Sequence, residues 1–138
     1  MLNTTQTDVT MNEIYATQIR NSVDALFSRI ATRATEDEMT RIRAAYELAA
    51  EAHSTQRRKS GEPYIIHPIA VAAIVAEELE LGDNPVISAF LHDVVEDTPY
   101  TVEDIRERFG DDVAFLVNVV TKKKKKNTSV KTSSQIDN

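Results

Sequence analysis

The sequence predicts an all-α domain of roughly six helices. Three observations carry this. Apolar residues recur at helical spacing, and no stretch alternates with the period of two that a half-buried strand requires. Only three glycines and four prolines occur in 138 residues, too few for the frequent turns of a β protein. Two capping boxes, Thr35 with Glu38 and Thr101 with Asp104, mark helix starts.

Residues 1–10 are polar and without periodicity, and are expected to be disordered. From Met11 the apolar positions Ile14, Ile19, Val23, Leu26, Phe27 and Ile30 predict an amphipathic helix over 11–32. Thr35 caps a second helix running to about Gln56, with Met39, Ile42, Ala45, Tyr46, Ala49 and Ala50 inward. The run Arg57-Arg58-Lys59-Ser60-Gly61-Glu62-Pro63 breaks the pattern and reads as a loop. Pro68 fits the first turn of a helix, where its missing N–H costs nothing, and an apolar helix follows over Ile69 to Leu81. Gly82 ends it. Asn84 is the expected N-cap of the next helix, with Pro85 in its first turn, running through Phe90 and Val94 to about Glu96. Pro99 stops that helix, because the residue before a proline avoids the α region. A short helix runs from the Thr101 cap to Phe109, closed by Gly110, and a last apolar helix spans Asp111 to Val120. No internal repeat is present. The expected organisation is a disordered 1–10, a helical domain over 11–121, and a basic Lys/Ser/Thr-rich tail over 122–138.

The length suits one domain of roughly 100–150 residues. With 41% hydrophobic and 28% charged residues the chain reads as an ordinary soluble globule. No cysteine is present, which excludes disulfides and thiolate metal sites. No apolar run nears the roughly 18 residues of a membrane span, and the polar start is no signal peptide, so a cytoplasmic protein is the default. The net charge of −6 argues against a general nucleic-acid binder. That charge is unevenly spread. Residues 122–138 hold six lysines and one acid, a net of +5, which leaves the first 121 residues with 10 basic and 21 acidic side chains, a net of −11. The lysine run Lys122 to Lys126 reads as a solvated linker rather than a polyanion site.

Chemistry concentrates in two places. The first is His92-Asp93-Val94-Val95-Glu96-Asp97, where one helix end offers an imidazole and three carboxylates. A helix C-terminus carries the negative pole of the macrodipole, so three acids there cost stability unless something positive sits against them. Spacing alone leaves a solvated acidic end and a divalent-metal site both open. Mixed His/Asp ligands suit Mn²⁺, Fe²⁺ or Zn²⁺. His67, fixed before Pro68, is placed to reach across, and Glu96 and Asp97 can hold and deprotonate a water whose pKa a metal lowers. The second is Arg57-Arg58-Lys59-Ser60-Gly61. By itself this is a solvated basic turn. Against a body of −11 it is the one basic cluster before the tail, and cations beside an acidic metal site are what a phosphoryl hydrolase needs.

Three stretches carry a family resemblance: AHSTQRRKSGEPYIIHPIAVAAIVAEELEL, AFLHDVVEDT and TVEDIRERFGDDVAFLVNVVTK. They closely resemble the amino-terminal hydrolase domain of the RelA/SpoT homologues, the (p)ppGpp synthetase/hydrolases of the bacterial stringent response. The resemblance implies the helical HD-superfamily fold and Mn²⁺-dependent removal of the 3′-pyrophosphate from ppGpp and pppGpp. By motif it implies His67, His92 and Asp93 as metal ligands and Glu96 and Asp97 as the pair that activates water. It implies Arg58, Lys59 and Ser60 as the nucleotide-contacting loop, with Arg58 on the guanine and Lys59 on a phosphate. It assigns no clear role to His53, the histidine of the AH…Q element.

The sequence departs from the family in two ways. The family's fourth metal ligand is an Asp in a downstream DRLHN-type motif, which is absent here. The family's GVTKL is replaced by Val119-Val120-Thr121-Lys122-Lys123 and the lysine run. The chain is therefore expected to be an amino-terminal piece of a longer protein with synthetase and regulatory domains, weak or inactive alone. Two other classes fit the same residues. One is a guanine-nucleotide-binding regulatory module without catalysis. The other is an HD phosphohydrolase of another nucleotide.

Overall fold

The computed structural model describes residues 4–78 and 82–121, with side chains from Met11 onward. The helices are α1 (Thr4–Ala31), α2 (Glu36–Ala52), α3 (Ile66–Glu78), α4 (Asp83–Asp97) and α5 (Val102–Phe109). Residues 111–121 form α6. Among the described residues the sole β feature is an isolated antiparallel bridge between Arg57 and Pro63. The all-α expectation holds.

Both capping boxes form. Thr35 accepts from the Glu38 N–H at 3.1 Å while the Glu38 carboxylate accepts from the Thr35 N–H at 2.9 Å, and Thr101 and Asp104 repeat the exchange at 3.2 and 2.9 Å. Each satisfies two of the N–H groups that a helix start leaves without intrahelical partners.

α4 is the central element and packs against both α2 and α3. Its Ile87, Phe90, Leu91 and Val94 are fully buried, each stabilising by about 1.5–3 kcal/mol relative to exposure. α2 supplies Ile42, Ala45, Leu48 and Ala49, and α3 supplies Ile69, Ala72 and Ala76. α1 lies across the outside through Val23, Leu26, Phe27 and Ile30. Tyr46 bridges these layers, with its ring edge-on to Phe27 at 6.4 Å and to Phe90 at 5.8 Å. A stripe at i, i+4 spacing, Ile105, Phe109, Val113 and Val117, runs buried through α5 and α6. Arg41 of α2 ties the N-terminal end of α4 to the C-terminal end of α5. It donates to Asp83, to Asn84 Oδ1 at 3.0 Å and to the Phe109 carbonyl at 2.6 Å.

Several boundaries differ from expectation. α1 starts at Thr4, inside the segment expected to be disordered. Extending an existing helix adds one hydrogen bond per residue, so a polar extension needs no buried face. The inward stripe begins only near Ile19, and Ile14 is exposed. α2 stops at Ala52 rather than Gln56, with His53 as its C-cap. α3 begins one turn early, at Ile66, so His67 lies inside its first turn. α4 is capped by Gly82, not Asn84. The Asp83 and Asn84 side chains are engaged by Arg41, and Gly82 takes the positive φ of 91° that the turn requires. The basic tail over 122–138 lies outside the described residues.

Candidate active site

The basic turn and the acidic helix end are brought together. α2 ends at His53, whose N–H returns to the Ala49 carbonyl at 3.0 Å. The chain then folds over 57–63 into a tight turn, held by Arg58 N–H to Glu62 O at 2.9 Å and Gly61 N–H to Arg58 O at 2.8 Å. Gly61 sits at φ 98°, a backbone that side chains disfavour. Tyr64 N–H closes the base of the turn on the Gln56 carbonyl at 3.0 Å. α3 begins two residues later, with Pro68 in its first turn where no N–H partner is needed. One short, hydrogen-bonded segment thus carries the cations, Tyr64 and His67 in sequence.

Arg57, Arg58, Lys59, Ser60, Tyr64 and His67 line an open basin of about 530 Å³. Arg58 makes a long ion pair with Glu62, 3.8 Å, and its side chain is well exposed. A smaller cavity of about 220 Å³ lies at the opposite end of α4, between Ile30, Val75, Gly82 and Val86, and has no histidine in its lining.

The C-terminal half of α4 faces the basin's inner wall. Asp93 is 1% exposed. Its Oδ1 lies 3.2 Å from His92 Nε2 and its Oδ2 lies 3.8 Å from His67 Nε2. His92 Nδ1 is 3.0 Å from the Ala89 carbonyl. A carbonyl only accepts, so Nδ1 carries a hydrogen, and the ring is held with Nε2 facing Asp93. Tyr64 donates its hydroxyl to Asp93 Oδ2 at 2.8 Å and lies 3.4 Å from Asp97 Oδ2. Burial, the hydrogen bond to Asp93 and the charges of Asp93 and Asp97 push the Tyr64 phenol well above its usual range. It therefore stays protonated and acts as a donor.

Gln56 donates to the Asp97 carbonyl at 3.0 Å, and Thr98 Oγ1 donates to the Val94 carbonyl at 2.5 Å. These satisfy carbonyls that a helix end leaves open. They do not offset its negative pole, and no basic residue lies in the last turn of α4. His53, 2% exposed, holds Gln56 Oε1 through Nδ1 at 2.8 Å and lies under the Tyr64 ring, centroids 4.6 Å apart. Glu96 is half-buried on the same helix end.

The donor set of two imidazole nitrogens and one buried carboxylate suits a divalent transition metal. Among the described residues, no three His, Asp or Glu side chains converge closely enough to hold an ion as they stand. His67 and His92 approach Asp93 pairwise, from its two sides.

A family model described as HD domain matches residues 45–138, which is most of the chain. The chain belongs to the HD-domain family, in its RelA/SpoT branch. It is 45% identical over 115 residues to the bifunctional (p)ppGpp synthase/hydrolase SpoT of Escherichia coli K12, covering 83% of this chain and 16% of that protein. It is 48% identical over 91 residues to a guanosine-3′,5′-bis(diphosphate) 3′-pyrophosphohydrolase of Haemophilus influenzae, covering 66% of this chain and 13% of the relative. It is 51% identical over 81 residues to a probable GTP pyrophosphokinase of Mycobacterium leprae, covering 59% and 10%. The chain therefore spans about a sixth or less of the length of these relatives.

In this HD domain the sequence anticipated both clusters but missed what joins them. Tyr64 reaches Asp93 and Asp97 across 29 and 33 residues, Gln56 reaches the Asp97 carbonyl across 41, and His53 supports both from beneath. Tyr64 and Gln56 lie close in sequence to singled-out residues, and neither carries charge, so the sequence offers no signal for their partners on α4.

Proposed function

We propose that this HD domain removes the 3′-pyrophosphate from ppGpp and pppGpp, with Mn²⁺ as its metal. The carrying observation is the shared wall: a basin lined by three cations and Ser60 opens on His67 and Tyr64, and both of these approach the buried Asp93. The names of the Escherichia coli and Haemophilus influenzae relatives support the substrate.

In this reading Arg58, Lys59 and Ser60 bind the nucleotide, Arg58 against the guanine and Lys59 on a phosphate. A planar guanidinium suits stacking, and an ammonium suits a phosphate as a point charge. His67, His92 and Asp93 hold the ion. When bound, a divalent ion neutralises developing phosphate charge and lowers the pKa of water. Glu96 and Asp97 hold the attacking water and accept its proton. The water oxygen bonds to the phosphorus at the 3′ position, the bond from that phosphorus to the 3′ oxygen breaks, a proton passes to the 3′ oxygen, and GDP or GTP leaves with pyrophosphate. Within a longer protein the domain works beside synthetase and regulatory domains, in the cytoplasm, as part of the stringent response. No helix among the described residues is long and apolar enough to cross a membrane.

The test is product analysis with Mn²⁺ and a nucleotide panel. Slow release of pyrophosphate from ppGpp, with GDP as the other product, is expected of this chain. Preference for a nucleotide without a 3′-pyrophosphate overturns the assignment.

A further inference from the structure

Tyr64 joins the basic turn to two histidines and two of the α4 carboxylates, and nothing in the sequence marks it for that role. Its backbone N–H closes the basic turn on Gln56. Its ring is flanked by two imidazoles, His53 at 4.6 Å and 33° and His67 at 6.0 Å and 70°. Its hydroxyl reaches α4, where Asp93 Oδ2 accepts at 2.8 Å and Asp97 Oδ2 lies at 3.4 Å.

This matters because a carboxylate is poorly fixed by its own helix. The terminal torsion of Asp, about the bond to its sp² carbon, is broad, so the carboxylate plane must be set from outside. A ligand carboxylate is normally held this way by a hydrogen bond to the oxygen it does not give to the metal. Oδ2 of Asp93 takes the phenol, which leaves Oδ1 on the His92 side, 3.2 Å from Nε2. The phenol is itself well placed, since Tyr has few torsions and this ring is held at its backbone and on two sides. The same hydroxyl borders Asp97, so one group sets the spacing between the carboxylate read as a ligand and one read as water-activating.

Resting on the proposed metal-dependent function, we propose that Tyr64 is a positioning residue: its hydroxyl fixes the Asp93 carboxylate for metal binding and holds Asp97 in register with it. His53, buried at 2% exposure and bonded to Gln56, is the platform on which the Tyr64 ring rests.

The test compares Tyr64→Phe, which keeps the ring, with Tyr64→Leu, which removes ring and hydroxyl together. Mn²⁺ affinity is read by calorimetry on the whole chain without nucleotide, and kcat and KM for ppGpp are read separately. Tyr64→Phe is expected to lose about 10–100-fold in Mn²⁺ affinity, the usual effect of removing a partner of a metal ligand. It is expected to lower kcat while KM for ppGpp stays within about twofold, since the basic turn is untouched. Tyr64→Phe with the parent's Mn²⁺ affinity and kcat, and losses only in Tyr64→Leu, overturns the proposal in favour of ring packing. A Tyr64→Phe chain that does not fold assigns the hydroxyl to stability and overturns it too. A parent chain that takes up no Mn²⁺ overturns the metal-dependent reading and this proposal with it. A parent that binds Mn²⁺ beside an equally competent Tyr64→Phe overturns this proposal alone.

Discussion

Replacing Asp93 by Asn should stabilise the metal-free chain and destabilise it relative to the parent once Mn²⁺ is present. Asp93 is 1% exposed, on the last turns of a helix that ends in Glu96 and Asp97 with no basic residue in its own last turn. Asn keeps the shape and can still accept from Tyr64. Removing the charge relieves an unfavourable dipole interaction of about 0.3–1 kcal/mol, up to about 2 in a buried setting. It also relieves a desolvation penalty of the order of several kcal/mol. Against this, the charge-assisted hydrogen bond from Tyr64 becomes neutral, a loss of about 1 kcal/mol. The net gain is about 1 kcal/mol or more, a rise in Tm of roughly 4 °C for a chain of this size. Mn²⁺ at a hundred times its Kd adds about 2.7 kcal/mol to the parent and much less to the variant. Thermal melts followed by circular dichroism, in chelator and in Mn²⁺, should therefore cross: the variant melts higher without metal and lower with it. A variant that melts below the parent in chelator refutes the reasoning, because Asp93 is then stabilised by its local partners and the acidic end is not held against its own stability.

Arg58→Ala and Lys59→Ala should each weaken ppGpp binding by about 10-fold or more, the loss of one charge-assisted contact of about 1.5–3 kcal/mol. Calorimetry at two salt concentrations checks this, with the parent's affinity falling more steeply with salt than either variant's. Thr35→Ala should cost about 1 kcal/mol in urea melts by removing the α2 cap. Ile87→Ala, at a fully buried position of α4, should cost about 2–5 kcal/mol. Tyr64 has a folded pKa raised above the unfolded value by burial first and then by Asp93. Its stabilising contribution is therefore complete below pH ~10 and is lost as the pH rises through that point toward the raised value. Urea melts on either side of pH ~10 should show a smaller loss in Tyr64→Phe than in the parent.

How far the sequence reached depends on whether the cause is local. The capping boxes at Thr35 and Thr101 were readable because both partners lie within one helical turn. The chemistry of the His92–Asp97 cluster was readable because helical periodicity alone puts those side chains at one end. Asn84 misled because its side chain is taken by Arg41, 43 residues away, and a long-range partner removes a residue from its local role. The start of α1 misled because a polar stretch gives no periodicity, although helix propagation does not require any. The basic turn was visible as charge, but its position beside α4 depends on Tyr64 and Gln56, which carry no charge and pair with α4 across the fold, and on the buried His53 beneath them.

The central claim is that the basic turn and the acidic end of α4 are two halves of one site. The most direct measurement is ppGpp binding to this chain by calorimetry, with and without Mn²⁺, for the parent and for His92→Ala. Mn²⁺ should strengthen ppGpp binding in the parent, and His92→Ala should abolish that response while leaving the metal-free affinity in place. Binding that ignores both Mn²⁺ and His92 would contradict it, and would make the domain a nucleotide-holding module whose acidic helix end plays no part.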